Sequence, residues 1–253
     1  MWCDIGVNLF SSQYDADRDA VIARAKSAGV SHAILIGSDI AESQLNLQFC
    51  QQHSSCFTTA GVHPHQAATV GDDWLQQLTT LLNANQVVAV GECGLDFNRD
   101  FSPRAVQQQI FAAQLQLAST LDKPVYLHER DAFATQIAML QEQHISNGVA
   151  HCFTGDTAQL KAYLDLGLYI GITGWLCDER RGQALQQALA YIPADRLILE
   201  TDAPYLAPVP HRGKTNQPAY VTDVAAAMAE LKDVSITELA RQTTKNFYQL
   251  FKL

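Results

Sequence analysis

Short apolar runs rich in Val and Ile recur along the chain. They predict strands at Asp4–Val7, Ala33–Ile36, Phe57–Val62, Val87–Gly91, Val125–Leu127, Gly148–Cys152, Leu168–Ile172 and Leu197–Glu200. Several do not alternate with polar residues, the pattern of strands covered on both faces. Helical spacing fills the gaps. Trp74, Leu75, Leu78, Leu81 and Leu82 share one face of a helix. Ile110, Ala113, Leu117 and Leu121 mark a second stripe, with Ser102 as its N-cap and Pro103 at the first helical position. Ser235-Ile236-Thr237-Glu238 has capping-box spacing and opens a last helix whose Ile236, Leu239, Thr243, Phe247 and Leu250 are expected to face inward. The stretch from Ala203 to Pro218, with four prolines, reads as a long loop between sheet and helix.

Eight strand–helix units in 253 residues predict an α/β fold, a single (β/α)₈ TIM barrel occupying residues 1–253 as one domain. A doubly wound sheet is the alternative, but no G-x-G-x-x-G follows the first strand. At 47% hydrophobic and 17% charged residues, the composition excludes a disordered chain. No apolar run approaches the ~18–20 residues of a membrane span, and the first ten residues lack a secretory signal pattern. Cys3, Cys50, Cys56, Cys93, Cys152 and Cys177 form no C-x-x-C pair, so most of them read as buried free thiols of a cytoplasmic protein. Seventeen Lys and Arg against 26 Asp and Glu give a net charge of −9, which argues against a basic surface gripping duplex nucleic acid. A divalent metal would supply positive charge that the side-chain count omits.

In such a barrel, functional side chains gather at the C-terminal ends of the strands. Those ends carry Asn8, His63 and His65, Glu92 and Asp96, His128, His151 and Asp202. Glu92, His128, His151 and Asp202 are of the imidazole and carboxylate types that bind divalent metals. Singly, each could be a hydrogen-bonded structural residue; four on four strands converging on one mouth call for a shared cause. Asp202, with Glu200 two residues before it, is the candidate general base beside a metal-bound water. Spacing alone does not decide which of those two acids faces inward. His63 and His65 could pair on a metal, but Pro64 places them on a loop edge, where they could instead bind an anionic substrate group. Arg99, Arg130, Arg180, Arg181, Arg212 and Lys214 follow strands and could line the same rim. Cys93 and Cys152 flank proposed ligands, and strand alternation predicts that both point away from them.

Five segments together resemble the TatD family of metal-dependent deoxyribonucleases, a branch of the amidohydrolase-like barrels. They are Gly61–His65 (G-V-H-P-H), Gly91–Asp96 (G-E-C-G-L-D), Leu127–Asp131 (L-H-E-R-D), His151–Gly155 (H-C-F-T-G) and Glu200–Leu206 (E-T-D-A-P-Y-L). Arg212–Pro218 (R-G-K-T-N-Q-P) is similar to a further family segment, and the order is collinear over nearly the whole chain. The resemblance implies a Mg²⁺-dependent 3′→5′ exonuclease on single-stranded DNA, with RNA as a further substrate, and a role in DNA repair or turnover. By position it implies Glu92, His128, His151 and Asp202 as metal ligands, with Glu92 and Asp202 catalytic. It also implies that His63 and His65 contact the scissile phosphate, Asn8 being counted with them, in a monomer.

The chain departs from the family in one place. Where most members open with D-x-H-x-H, two ligands of a second metal, this sequence has Asp4-Ile5-Gly6-Val7-Asn8, and neither Gly6 nor Asn8 can supply an imidazole. One firm Mg²⁺ site, with at most one weak and substrate-assisted site, is therefore expected. A metal-dependent ester or amide hydrolase on the same barrel is the alternative activity, because fold does not determine chemistry. A binding module that has lost catalysis is the third reading, motivated by the missing strand-one histidines.

Overall fold

The structure, a computed structural model, describes residues 1–178 and 182–253. Among the described residues, eight parallel strands pair in sequence order: β1 (Trp2–Val7), β2 (Val30–Leu35), β3 (Cys56–Ala60), β4 (Val87–Asp96), β5 (Val125–Arg130), β6 (Gly148–Ala150), β7 (Tyr169–Ile172) and β8 (Leu197–Leu199). Helices α1 (Arg18–Ser27), α2 (Ile40–Gln52), α3 (Trp74–Leu82), α4 (Arg104–Leu121), α5 (Phe133–Glu142), α6 (Thr157–Asp165), α7 (Gln183–Leu189) and α8 (Val221–Lys232) alternate with them, and α9 (Ile236–Phe251) ends the chain. The last strand returns to the first just beyond β8. Val7 bridges Ala203 in parallel, and the Asn8 N–H donates to the Ala203 carbonyl at 2.7 Å. The buried Asp4 carboxylate completes the seam, accepting from the Thr201 N–H at 2.9 Å and its hydroxyl at 2.6 Å. This is the expected TIM barrel, and the Ala203–Pro218 stretch is the expected loop.

Inward side chains Ile5, Ile34, Ile36, Val88, Tyr126, Val149 and Ile198 form one cluster with Phe247, Leu250 and Phe251 of α9. Because α9 also bonds the strand starts, Thr244 to the Met1 carbonyl and Asn246 to that of Leu197, it floors the barrel at the N-terminal end. That leaves the C-terminal end open. Ile236 does not join this packing: it is 45% exposed in the first turn, ahead of the inward set that begins at Leu239. Ser235 caps α9 as its spacing predicts, but Glu238 turns to Arg241, so the reciprocal half of the capping box is not made.

Three local differences from the expected pattern bear on the mouth. First, β4 runs five residues past its predicted end, after a register shift between Val90 and Cys93, and pairs Gly94 with His128 and Asp96 with Arg130. Gly91 (φ 138°) and Gly94 (φ 142°) make that possible, since a Cβ would lie 2.3 Å from the Tyr126 carbonyl at the first and 2.0 Å from the His128 carbonyl at the second. Second, the inner face of α4 is Gln107, Ile110, Phe111, Gln114, Leu115 and Ala118, rotated from the predicted stripe. Third, Ser102 does not cap α4; its hydroxyl donates to the His65 carbonyl and accepts from the Ala68 N–H, both at 3.0 Å, fixing the loop after β3.

Candidate active site

Buried glutamines hold the strand ends that carry the polar cluster. Gln114 accepts from the Val62 N–H at 2.8 Å and donates to the Val62 carbonyl at 3.0 Å, immediately before His63. Gln107 accepts from the Asp96 N–H and donates to the Asp96 and Ser102 carbonyls, while Gln136 accepts from the Leu95 N–H. Left buried and unpaired, each of these backbone groups would cost about 1–3 kcal/mol. Polar side chains therefore occupy the inner helix faces. A hydrophobic periodicity does not reveal them.

All seven candidate side chains, Asn8, His63, His65, Glu92, His128, His151 and Asp202, line one cavity of about 470 Å³ at the open end of the barrel. Glu92 is central. Its Oε1 accepts from His128 Nδ1 at 3.0 Å and lies 3.6 Å from His63 Nε2 and 3.9 Å from His151 Nε2. Burial opposes its ionisation, but the imidazoles of His63, His128 and His151 more than offset this and hold its carboxyl well below the usual range. His63 accepts from the His65 N–H at Nδ1, which aims Nε2 at Glu92; burial pushes its own pKa down to about 3, so it is neutral. His65 meets the buried Asp96 at 2.6 Å, and Asp96 also accepts from the Asn98 and Arg99 N–H groups.

His151 is held from behind. Its Nδ1 lies 2.5 Å from Glu200 Oε2 and 2.6 Å from the Tyr126 hydroxyl, which itself donates to Glu200. The other Glu200 oxygen accepts from the Cys152 N–H at 2.6 Å. With Nδ1 engaged, Nε2 faces the cavity, 3.8 Å from Asp202 Oδ1. Burial would strip the proton from His151, but Glu200, Glu92 and Asp202 outweigh it and push the pKa up to about 10. His128 behaves alike: burial opposes its charge, and Asp96 and Glu92 carry its pKa up to about 9.

The question of which acid faces inward has a geometric answer. Asp202 lines the cavity from a left-handed backbone (φ 53°), accepting from the Asn8 amide at 3.0 Å, whereas Glu200 is fully buried behind His151. Burial pushes the Asp202 pKa up to about 7, aided by Glu92 and Glu200 and opposed by His151. Glu200 fits because position 6 carries no side chain. A Cβ on Gly6 would lie 2.7 Å from Glu200 Oε2, and one on Gly171 would lie 2.3 Å from Oε1. Tyr126 and Glu200 are thus partners of a candidate residue that motif spacing did not assign; paired glycines on strands flanking an acid were the available signal.

Cys152 corrects one expectation. The chain leaves β6 at Ala150 and turns left-handed at Cys152 (φ 45°), so strand alternation no longer applies and Cys152 lines the cavity. Its thiol is pushed far above the usual range by burial, with Asp202 and Glu200 adding to the effect, so it is no nucleophile. Cys93 is buried in the core, as are Cys3, Cys50 and Cys56, which is the burial expected of most of the cysteines; Cys152 and Cys177 are partly exposed. Of the rim cations, Arg130 lines this cavity, Arg212 and Lys214 line a neighbouring groove, and Arg99 contributes its backbone to Asp96. Arg180 and Arg181 lie outside the described residues.

The donor set suits a divalent cation. Among the described residues, one ligand atom each from His63, Glu92 and His128 falls within 4.8 Å of the others. His128 Nε2 is buried with no hydrogen-bond partner, its nearest acid being Asp96 at 3.5 Å. An orphaned buried imidazole nitrogen beside a carboxylate is a ligand position in waiting. That trio contains His63, for which the family resemblance implies a phosphate contact. His151 and Asp202 stand one step further out.

Comparison with known proteins identifies the family. A family model described as TatD related DNase matches residues 3–252. A Klebsiella pneumoniae protein named 3′-5′ ssDNA/RNA exonuclease TatD is 46% identical over 254 residues, covering 98% of this chain and 97% of the relative. A Pectobacterium parmentieri protein of the same name is also 46% identical, covering 99% of each. The crystal structure of YJJV, a TatD homolog from Escherichia coli, superposes with a TM-score of 0.94 at 30% identity, covering 100% of this chain and 98% of its own. An uncharacterized amidohydrolase from Saccharomyces cerevisiae shares the fold, with a TM-score of 0.86 at 22% identity over 99% of each chain. With the family model spanning the barrel from β1 to the end of α9, this chain belongs to the TatD-related DNase family.

Proposed function

We propose that this chain is a metal-dependent 3′→5′ exonuclease that shortens single-stranded DNA, and RNA as a further substrate, in DNA repair or turnover. The observation that carries the reading is the convergence of Glu92, four imidazoles and Asp202 on one cavity, with His128 Nε2 buried and unpartnered among the described residues. The names of the relatives at 46% identity supply the substrate class. In this reading Glu92, His128, His151 and Asp202 hold a Mg²⁺ ion, with His63 within reach of the same position. The ion's contribution is to polarise a phosphoryl oxygen and acidify water. One firm ion is proposed, with at most one weaker ion assisted by substrate, because Glu200 fills the space facing Gly6.

The chain's own residues do the rest. His65, fixed by Asp96, and Asn8, fixed against Ala203, orient phosphate oxygens together with His63. Asp202 orients the attacking water and takes its proton. Glu200 and Tyr126 fix the direction of His151 Nε2. We further read residues 1–253 as one such domain that acts as a cytoplasmic monomer; no helix among the described residues is long and apolar enough to cross a membrane.

The test is product mapping on a 5′-labelled single strand, its duplex and an aminoacyl ester, each with Mg²⁺ and with chelator. The reading predicts a ladder shortening from the 3′ end of the single strand, abolished by chelator. Intact strands under conditions where metal is bound, or a preference for the ester by orders of magnitude in kcat/KM, would overturn it.

A further inference from the structure

The central cavity does not end at the metal-type cluster. Trp175 and Leu206 form part of its wall and also part of the wall of a second groove, of about 380 Å³, whose far side carries Arg212 and Lys214. On the cavity side of this ridge Arg130 lies over the Trp175 ring at 6.0 Å, and Tyr205 is 51% exposed. Cations grouped with a half-buried tryptophan and an exposed tyrosine stand out on a chain of net charge −9. Such a combination binds single strands without reading sequence: the cations hold phosphates and the rings stack bases.

The loop that presents these groups is fixed before any ligand arrives. Asn216, fully buried, donates to the Thr201 carbonyl at 2.9 Å and the Tyr205 carbonyl at 2.5 Å, and its N–H donates to the Pro204 carbonyl at 3.0 Å. His211 stacks on Tyr220 at 3.6 Å between ring centres and meets Asp223 at 3.3 Å, and its carbonyl accepts from the Lys214 N–H. Asp178, itself buried, forms an ion pair with Arg212 at 3.6 Å. Among the described residues Lys214 has no ion-pair partner, so its charge is available to a phosphate. In the same groove, Gly174 lets the loop after β7 close on the loop after β8; a Cβ there would lie 2.4 Å from the Leu206 carbonyl.

We propose that this second groove holds the sugar–phosphate backbone of the single strand on the 5′ side of the nucleotide being removed, with Arg212 and Lys214 on successive phosphates. This rests on the exonuclease reading and adds to it a processing track separate from the reacting centre. Its signature is a dependence on strand length, because a substrate with a single phosphodiester bond reaches the central cavity but not the groove.

The experiment compares wild type with the Arg212→Ala/Lys214→Ala double variant, both exposed positions, on a thymidine strand of about 20 nucleotides and on a thymidine dinucleotide. Binding of the long strand is measured against salt concentration in parallel. The proposal predicts that the variant loses about tenfold more kcat/KM on the long strand than on the dinucleotide. It predicts a salt slope shallower by about 1.4, two contacts at about 0.7 each, and recovery of both in Arg212→Lys/Lys214→Arg. Equal losses on both substrates, or a variant salt slope equal to that of a wild type that cleaves both, would overturn the groove while leaving the exonuclease reading intact. A wild type that binds and cleaves neither would remove both.

Discussion

Glu200 Oε2 lies 2.5 Å from His151 Nδ1, in a slot that stays open only because positions 6 and 171 are glycine. The buried carboxylate takes up space that a side chain on the first strand would otherwise fill, and uses it to aim His151 Nε2 at the cavity. Outer partners of this kind typically change metal affinity or activity by about 10–100-fold when mutated. Glu200→Gln is therefore expected to weaken divalent-metal binding by about that factor, read by calorimetric titration. Gly6→Ala should act in the same direction by displacing Glu200. Unchanged affinity in both variants would show that His151 needs no such support.

Asp4 gives the fold a pH dependence of definite sign. Burial pushes its carboxyl up to about 7, against bonds from Thr201 and Gly6. The folded chain thus binds this proton more tightly than the unfolded chain, whose aspartate titrates near 3.8. The stability Asp4 contributes is complete below that lower value and is lost as pH rises towards and through 7. A tenfold change in acidity is worth about 1.4 kcal/mol, so the loss amounts to a few kcal/mol. Urea unfolding of wild type and Asp4→Asn between pH 4.5 and 8 should show wild type losing ground as pH rises; parallel curves would rule this out.

Gln114 bridges the Val62 N–H and carbonyl next to His63. Gln114→Ala leaves both groups buried without partners and is expected to cost about 2–3 kcal/mol, visible as a lower urea midpoint. It should also reduce turnover, because the His63 loop loses its anchor. A midpoint within about 0.5 kcal/mol of wild type would mean that water or neighbouring groups replace the glutamine.

Cys152 borders the cavity but has a thiol held in the protonated form. Iodoacetamide at neutral pH should leave it unmodified while unfolded protein reacts at all six cysteines, and Cys152→Ser should keep kcat within about threefold. Rapid alkylation with parallel loss of turnover would assign the thiol a chemical role.

Strand existence was legible because strands covered by helices outside and packed inside read as continuous Val and Ile runs, as at Val87–Val90. The strand-end histidines and acids followed from that alone. What periodicity missed has a common cause: irregular backbone at the mouth. Gly91 and Gly94 prolong β4 through a register shift, and Gln107 and Gln114 bury polar groups where a stripe should be apolar. Left-handed turns at Cys152 and Asp202 cancel the parity rule that would have told inward from outward. Each exception lies within a few residues of the candidate site. The regular half of the barrel obeys local rules; the half that holds the site departs from them through long-range contacts.

The central claim is that Glu92 and His128 form the core of a metal site that powers the chemistry. Counting bound Mn²⁺ by electron paramagnetic resonance, in wild type and in His128→Ala, tests it most directly. The account predicts one tightly bound ion per wild-type chain and loss of that ion in the variant, with both proteins folded to the same extent. An equal count of tight ions in the two would contradict it.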